Sequence, residues 1–315
     1  MKPGPGHRRL ACFLAATSFL FLLAGCSSRR PTSPIPGSVA LAQRAAAQAA
    51  KLSESGSWTS AAMHWQVAAD HYAALNDRST EAISLHNLAQ ARKELGALDE
   101  AHQVLEQAAR LNEELSRTNE WWRNQLALLQ VEALLKQTQS LSIRFEKLIP
   151  RAGRLAEASM HGLFLNELGL WRQSEGHLEK AGESFHQAEQ RFLAAKHEPG
   201  VATVLANRAS LEQQRKNYPG AIASWRAALR RFEQLGDVRG VARALAGEGR
   251  ALLSAQQDLP AAEDLLRRAA RNYRTTKNSK ELAATLEVLA ECLTAQGKKG
   301  AAELVQAELV ALKKK

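Results

Sequence analysis

The residue best placed for covalent chemistry is Cys26. It follows Leu23, Ala24 and Gly25 and closes the apolar run of residues 10–24. Lys2, Arg8 and Arg9 precede that run, and residues 1–25 hold no acid. A basic patch, a short apolar core and small residues before a cut point form the pattern of a secretory signal. The core falls short of the ~20 residues that a spanning helix needs. The other candidates for chemistry are sparse. The nine histidines are scattered, and only His64 and His71, seven apart, share a helix face, with no third or fourth metal ligand in sight. No phosphate-cradling glycine loop, HExxH zinc signature, nucleophile elbow or CxxC pair occurs. The expectation is a chain that is not an enzyme, with no cofactor, no metal and no catalytic residues.

The segment Leu23-Ala24-Gly25-Cys26 resembles the lipobox of bacterial lipoproteins. The resemblance implies cleavage before Cys26, a diacylglycerol on its thiol and an acyl chain on the new amino group. Two or more chains anchor a protein stably, where one does so marginally. Arg8-Arg9 is followed by Leu10-Ala11-Cys12 without the phenylalanine of twin-arginine signals, so ordinary export is expected. Ser27 and Ser28 after the cysteine imply the outer membrane, facing the periplasm, by the rule of enteric-type lipoproteins. The expected domains are a signal peptide (1–25), a lipidated cysteine with a flexible Pro- and Ser-rich tether (26–38) and a folded region (39–315). Cys26 carries lipid and Cys292 sits in an apolar helical pattern, so no internal disulfide is expected. The net charge of +10 comes with Arg and Lys interleaved with Glu along helical stretches. That reads as solvated helix faces, so no nucleic-acid partner is expected.

The elements behind these residues follow a repeat. Ala61, Ala101, Leu141, Ala181, Ala221, Ala262 and Ala302 recur at intervals of 40, 40, 40, 40, 41 and 40. Four residues on stand Trp65, Leu105, Phe145, Phe185, Trp225 and Leu266, with Gln306 closing the series. Ala68, Ala108, Leu148, Ala188, Ala228, Ala269 and Leu309 come three later. Positions i, i+4 and i+7 share one helical face. A preceding helix has its small position at Ala49, Ala89, Leu129, Gly169, Ala209, Gly249 and Ala290. Gly56, Gly96, Gly176, Gly297 and Asn217-Tyr218-Pro219-Gly220 punctuate the pairs, and the one extra residue falls near Gln256-Gln257-Asp258.

Segments such as LHNLAQARKELGALDEAHQVLEQAARL resemble the tetratricopeptide repeat (TPR). The period exceeds the usual ~34 residues, as in extended forms joined by linkers like Leu75-Asn76-Asp77 and Leu235-Gly236-Asp237. The resemblance covers about 42–312 and implies an all-α, right-handed superhelical solenoid of about seven antiparallel helix pairs. The third unit departs from it, with leucines at all three small positions, and distorted packing is expected there. Trp121-Trp122 at its start reads as a buried packing pair.

In the family, the first helix of each pair lines a binding groove. Counting from the small positions gives His86, Asn87, Gln90 and Lys93; Arg123 and Gln130; Asn166 and Gln173; Asn207, Ser210, Gln213 and Gln214; Arg243 and Arg250; Glu287 and Glu291. Amides present a donor and an acceptor each, matching an extended peptide backbone. The expectation is a membrane-anchored periplasmic scaffold that binds a protein or peptide partner for envelope assembly, secretion or cell-wall regulation. The alternatives are a self-associating structural lipoprotein or an enzyme or metal-binding protein.

Overall fold

A computed structural model describes residues 37–155 and 157–313. Cys26, the signal segment and most of the tether lie outside the described residues. The described residues form fourteen α-helices and no strand, as the periodicity predicts. They divide into two compact units after Trp171.

The N-terminal unit holds α1 (Gly37–Glu54), α2 (Trp58–Ala74), α3 (Arg78–Glu94), α4 (Leu98–Glu114), α5 (Thr118–Leu134), α6 (Thr138–Ala152) and most of α7 (Ala158–Ser174). The described residues open on helix α1, at Gly37. The C-terminal unit holds the last turn of α7, then α8 (Leu178–Ala194), α9 (Glu198–Gln214), α10 (Tyr218–Leu235), α11 (Val238–Ser254), α12 (Leu259–Thr275), α13 (Ser279–Ala295) and α14 (Lys299–Lys313). Helices consecutive in sequence pack on one another from α1 to α6 and from α8 to α14, and α11 also touches α9 and α13.

The repeat has a finer grain than forty. Left-handed residues recur at Gly56, Asn76, Gly96, Ser116 and Lys136, and again at Gly176, Lys196, Lys216, Gly236, Gln256, Lys277 and Gly297. Every step within each series is twenty, except the twenty-one that precedes Lys277. Each marks the end of a helix. At the first, Gly56 N–H donates to Ser53 C=O at 3.1 Å and Ser57 N–H to Leu52 C=O at 2.9 Å. This Schellman pairing satisfies carbonyls that the helix end would orphan. The next residue caps the following helix. Asp77 accepts from Thr80 N–H at 3.1 Å and Asp237 from Gly240 N–H at 3.0 Å. The Leu-Asn-Asp and Leu-Gly-Asp linkers are therefore a helix end, a left-handed residue and an N-cap in succession. The extra residue falls where expected: Gln256 and Asp258 are both left-handed in one turn.

The small positions sit at helix crossings. Ala61, Ala101, Ala181, Ala221 and Ala262 are wholly buried, as are Ala49 and Ala209. A Cβ on Gly249 would lie 2.8 Å from Leu266 Cγ and 3.2 Å from the Ala262 carbonyl. No larger residue fits that crossing. The large residues four positions on are buried too, from Trp65 to Leu266, while Gln306 faces solvent. In the third unit the leucines Leu129, Leu141 and Leu148 are buried at the crossing. The backbones of α5 and α6 accordingly stand farther apart than those of α3 and α4. Aromatic rings fill this part of the unit. Trp121 and Trp122 are buried as expected, Trp122 meets Phe164 edge-on at 5.7 Å, and Phe145 stacks on Trp171 at 4.8 Å.

Burying an unpaired charge at a crossing breaks this packing. Ala221→Glu should cost about 4 kcal/mol and lower the melting temperature followed by circular dichroism. An unchanged melt would refute the register.

Candidate functional site

In the N-terminal unit several groove candidates bond within the unit rather than facing solvent alone. Lys93 Nζ on α3 donates to Gln130 Oε1 on α5 at 3.5 Å, and Gln130 Nε2 donates to Glu167 Oε1 on α7 at 3.1 Å. This chain ties together three successive first helices. Burial pushes the Glu167 carboxyl above its ordinary range, against the pull of Gln130, Lys93 and Asn166. Asn124 is buried, accepts from Asn112 Nδ2 at 2.9 Å and lies 3.3 Å from His86 Nδ1. Burial, then the charges of Arg123 and Lys93, push His86 down to about 4. His86 is thus a neutral partner inside a polar layer. Asn166 is buried, while Asn87 and Gln90 are half-buried on α3.

A second polar cluster was not apparent in the sequence. Arg144 on α6 donates to both oxygens of Glu132 at 2.7–3.0 Å, to Gln125 Oε1 at 2.8 Å and to Glu106. His102 Nε2 lies 3.1 Å from Glu132 Oε1. His102, Glu106 and Glu132 bring three ligand atoms within 4.8 Å of one another. The guanidinium already fills that space and neutralises both carboxylates, so the donor set does not suit a metal cation. His64 and His71 on α2 are not part of it.

The C-terminal unit has an open cavity of about 350 Å³ between its first helices. Ser210, Gln213 and Gln214 line it from α9, Arg243, Ala246, Gly247 and Arg250 from α11, and Glu281, Ala284 and Thr285 from α13. Trp225 of α10 and Tyr273 of α12 form walls. Five predicted residues, Ser210, Gln213, Gln214, Arg243 and Arg250, therefore come together. Asn207 lies just outside. It is buried, and its Oδ1 accepts from Arg243 Nη2 at 2.6 Å. Gln214 accepts from Gln173 Nε2 at 2.9 Å. Burial, reinforced by Glu281 and opposed by Arg243 and Arg250, pushes the Tyr273 phenol up to about 12. A glycine is required in this wall, since a Cβ on Gly247 would lie 2.3 Å from the Trp225 ring.

A further open cavity of about 530 Å³ lies between α13 and α14, lined by Glu287, Glu291, Gln306 and Leu309 among others. Glu287 accepts from Lys313 Nζ at 2.7 Å. The faces of α11 and α13 thus differ in sign, arginine on one and glutamate on the other. Sequence reasoning missed Trp225 and Tyr273 as cavity walls, because both lie on second helices.

Repeated antiparallel helix pairs with a polar face on the first helices define a helical-repeat scaffold of the kind suited to protein–protein interaction. The chain carries tetratricopeptide repeats: TPR family models match residues 82–116 and 200–275. No curated protein matches it by sequence. Among solved structures it resembles the apo form of the quorum sensor NprR from B. thuringiensis, at 12% identity and TM-score 0.72, covering 88% of this chain and 77% of that one. It resembles the apo form of RapI at 13% identity and TM-score 0.69, covering 87% and 97%. A Rap protein complexed with Competence and Sporulation Factor aligns at 12% identity and TM-score 0.68, covering 87% and 75%. At these identities the likeness is one of fold.

The lowered His86 value has a consequence for stability. Its contribution is complete above pH 6.5 and is lost as the pH falls toward 4, because only the unfolded state takes up the proton. The loss amounts to about 3 kcal/mol at most. Urea melts at pH 7.5 and 4.5 should show a smaller pH-dependent drop in His86→Gln than in the parent. Equal drops would place His86 outside the buried layer.

Proposed function

We propose that the chain is a membrane-tethered, non-enzymatic adaptor of the cell envelope. Lipid on Cys26 holds it at the outer membrane, facing the periplasm, and its repeats bind an extended protein segment. Envelope assembly, secretion and cell-wall regulation are the processes that such a tethered binder serves. The observation that carries this reading is the cavity on α9, α11 and α13, which combines amides, arginines and an aromatic wall. Such a mix suits a polypeptide: amides meet backbone groups, and the pocket takes a side chain. The fold likeness to a Rap protein complexed with Competence and Sporulation Factor supports it. The short apolar run and the residues before Cys26 support the anchor, and no described helix is long and apolar enough to cross a membrane.

Two experiments test the two halves. Panning a random peptide library on the immobilised full chain should enrich linear binders. Ala284→Trp, which fills the cavity, should abolish their capture while leaving the melting temperature in place. Failure to enrich any peptide on folded protein would overturn the groove reading. Metabolic labelling with palmitate should mark the parent and not Cys26→Ala, and labelling retained in that variant would overturn the anchor.

A further inference from the structure

The cavity of the C-terminal unit holds two guanidinium groups with no carboxylate in contact. Among the described residues, Arg250 makes no side-chain ion pair or hydrogen bond, and Arg243 bonds an amide, Asn207, rather than an acid. Elsewhere in the unit Arg208, Arg215, Arg226, Arg231, Arg267 and Arg274 each meet a glutamate. Others, Arg239 and Arg271 among them, meet no acid among the described residues but line neither cavity. What sets Arg243 and Arg250 apart is that two such groups share one cavity. Arg243 is held in place from two sides. Its Nη2 donates to Asn207, and its guanidinium lies 6.0 Å from the Trp225 ring centroid. Gly247 lets that ring lie against α11. Arg243 and Arg250 are seven residues apart on α11, so they project on one face two turns apart. Gln213 and Gln214 border them on α9.

Resting on the groove reading above, we propose that this cavity is a receptor for one acidic side chain, Asp or Glu, within an extended peptide. The carboxylate seats between Arg243 and Arg250, where planar N–H forks match its two oxygens. The α9 amides run along the cavity beside that seat and suit a backbone that passes through it, so an internal side chain is favoured over a chain terminus. Glu281 lines the same cavity. It repels a second acid beside the first, so an isolated acidic residue binds better than an acidic run. The charge of the pair sets which segment binds more than how tightly any segment binds.

The test uses the full chain and fluorescein-labelled decapeptide pools, acetylated and amidated at the ends. One pool has a fixed central glutamate, one a central glutamine, one three consecutive glutamates, and one a central glutamine with a free C-terminal carboxylate. The single-glutamate pool should bind about tenfold more tightly than the glutamine pool, and more tightly than the triple-glutamate pool. Arg250→Gln should erase the preference, and Arg250→Glu should reverse it in favour of the glutamine pool. Arg250 makes no internal bond, so melting of both variants should match the parent. Equal affinity for the single-glutamate and glutamine pools, with capture still blocked by Ala284→Trp, overturns the acidic-residue inference and leaves the groove reading standing. Tightest binding of the free-terminus pool also overturns it, in favour of a chain end. No binding by any pool overturns both.

Discussion

Everything in this fold depends on how closely paired helices approach. Alanine or glycine at each crossing brings two backbones together, and the large residue one turn on fills the neighbouring groove. At Gly249 the tolerance is less than one methyl group. A single pair cannot bury its apolar face, so the next pair must cover it, and stability is shared between neighbours. The left-handed turn every twenty residues keeps helix length constant, so the crossings fall in register. Lysine, serine or glutamine at a left-handed position costs of order 1 kcal/mol relative to glycine, and the chain tolerates this at Lys136, Lys196, Lys216, Gln256 and Lys277. That tolerance implies that packing, rather than local preference, sets the turn.

In the third unit this constraint is relaxed. Leucine at its crossing positions separates the helices, and other groups fill the neighbouring space. Aromatic rings fill one side, from Trp122 through Phe164 and Phe145 to Trp171. A guanidinium with its carboxylates lies on another, around Arg144. A buried ion pair of this kind contributes little net stability, yet breaking it leaves an uncompensated charge. Its value is geometric: Arg144 reaches Glu106 on α4 and Glu132 on α5 at once, which fixes three helices in one register.

The forty-residue period was legible because one face of each helix must be small, large and small in order. Half of that period was not, since glycine marks only some of the left-handed turns and lysine carries no turn preference of its own. The groove was partly legible for the same reason as the repeat. Counting from Gly249 places Arg243 and Arg250 on the first-helix face, and the structure puts both in the cavity. Its walls were hidden, because Trp225 and Tyr273 belong to second helices whose large residues read as core. Asn207 illustrates a further limit. Its position in the count is that of a ligand contact, but whether its amide faces a ligand or a neighbour depends on Arg243, thirty-six residues away.

That dependence bears on how a repeat protein acquires specificity. The positions that build the scaffold are fixed by packing, so a new binding preference must come from the few first-helix positions that packing leaves free. Two kinds of solution appear in the two units. In the N-terminal unit, Lys93 and Glu167 are bridged by the Gln130 amide, which stiffens the face and sets a carboxyl within the same polar layer as the cation. In the C-terminal unit, Arg250 has no internal partner and Arg243 has only an amide, so positive charge stays available beside the Trp225 wall. Desolvating a cation is costly unless a partner compensates. The open cavity keeps Arg250 wet until a partner of opposite charge arrives. The same residue type therefore serves structure at Arg144 and stays unpaired at Arg250, and the difference lies in whether a glutamate makes direct contact with the guanidinium.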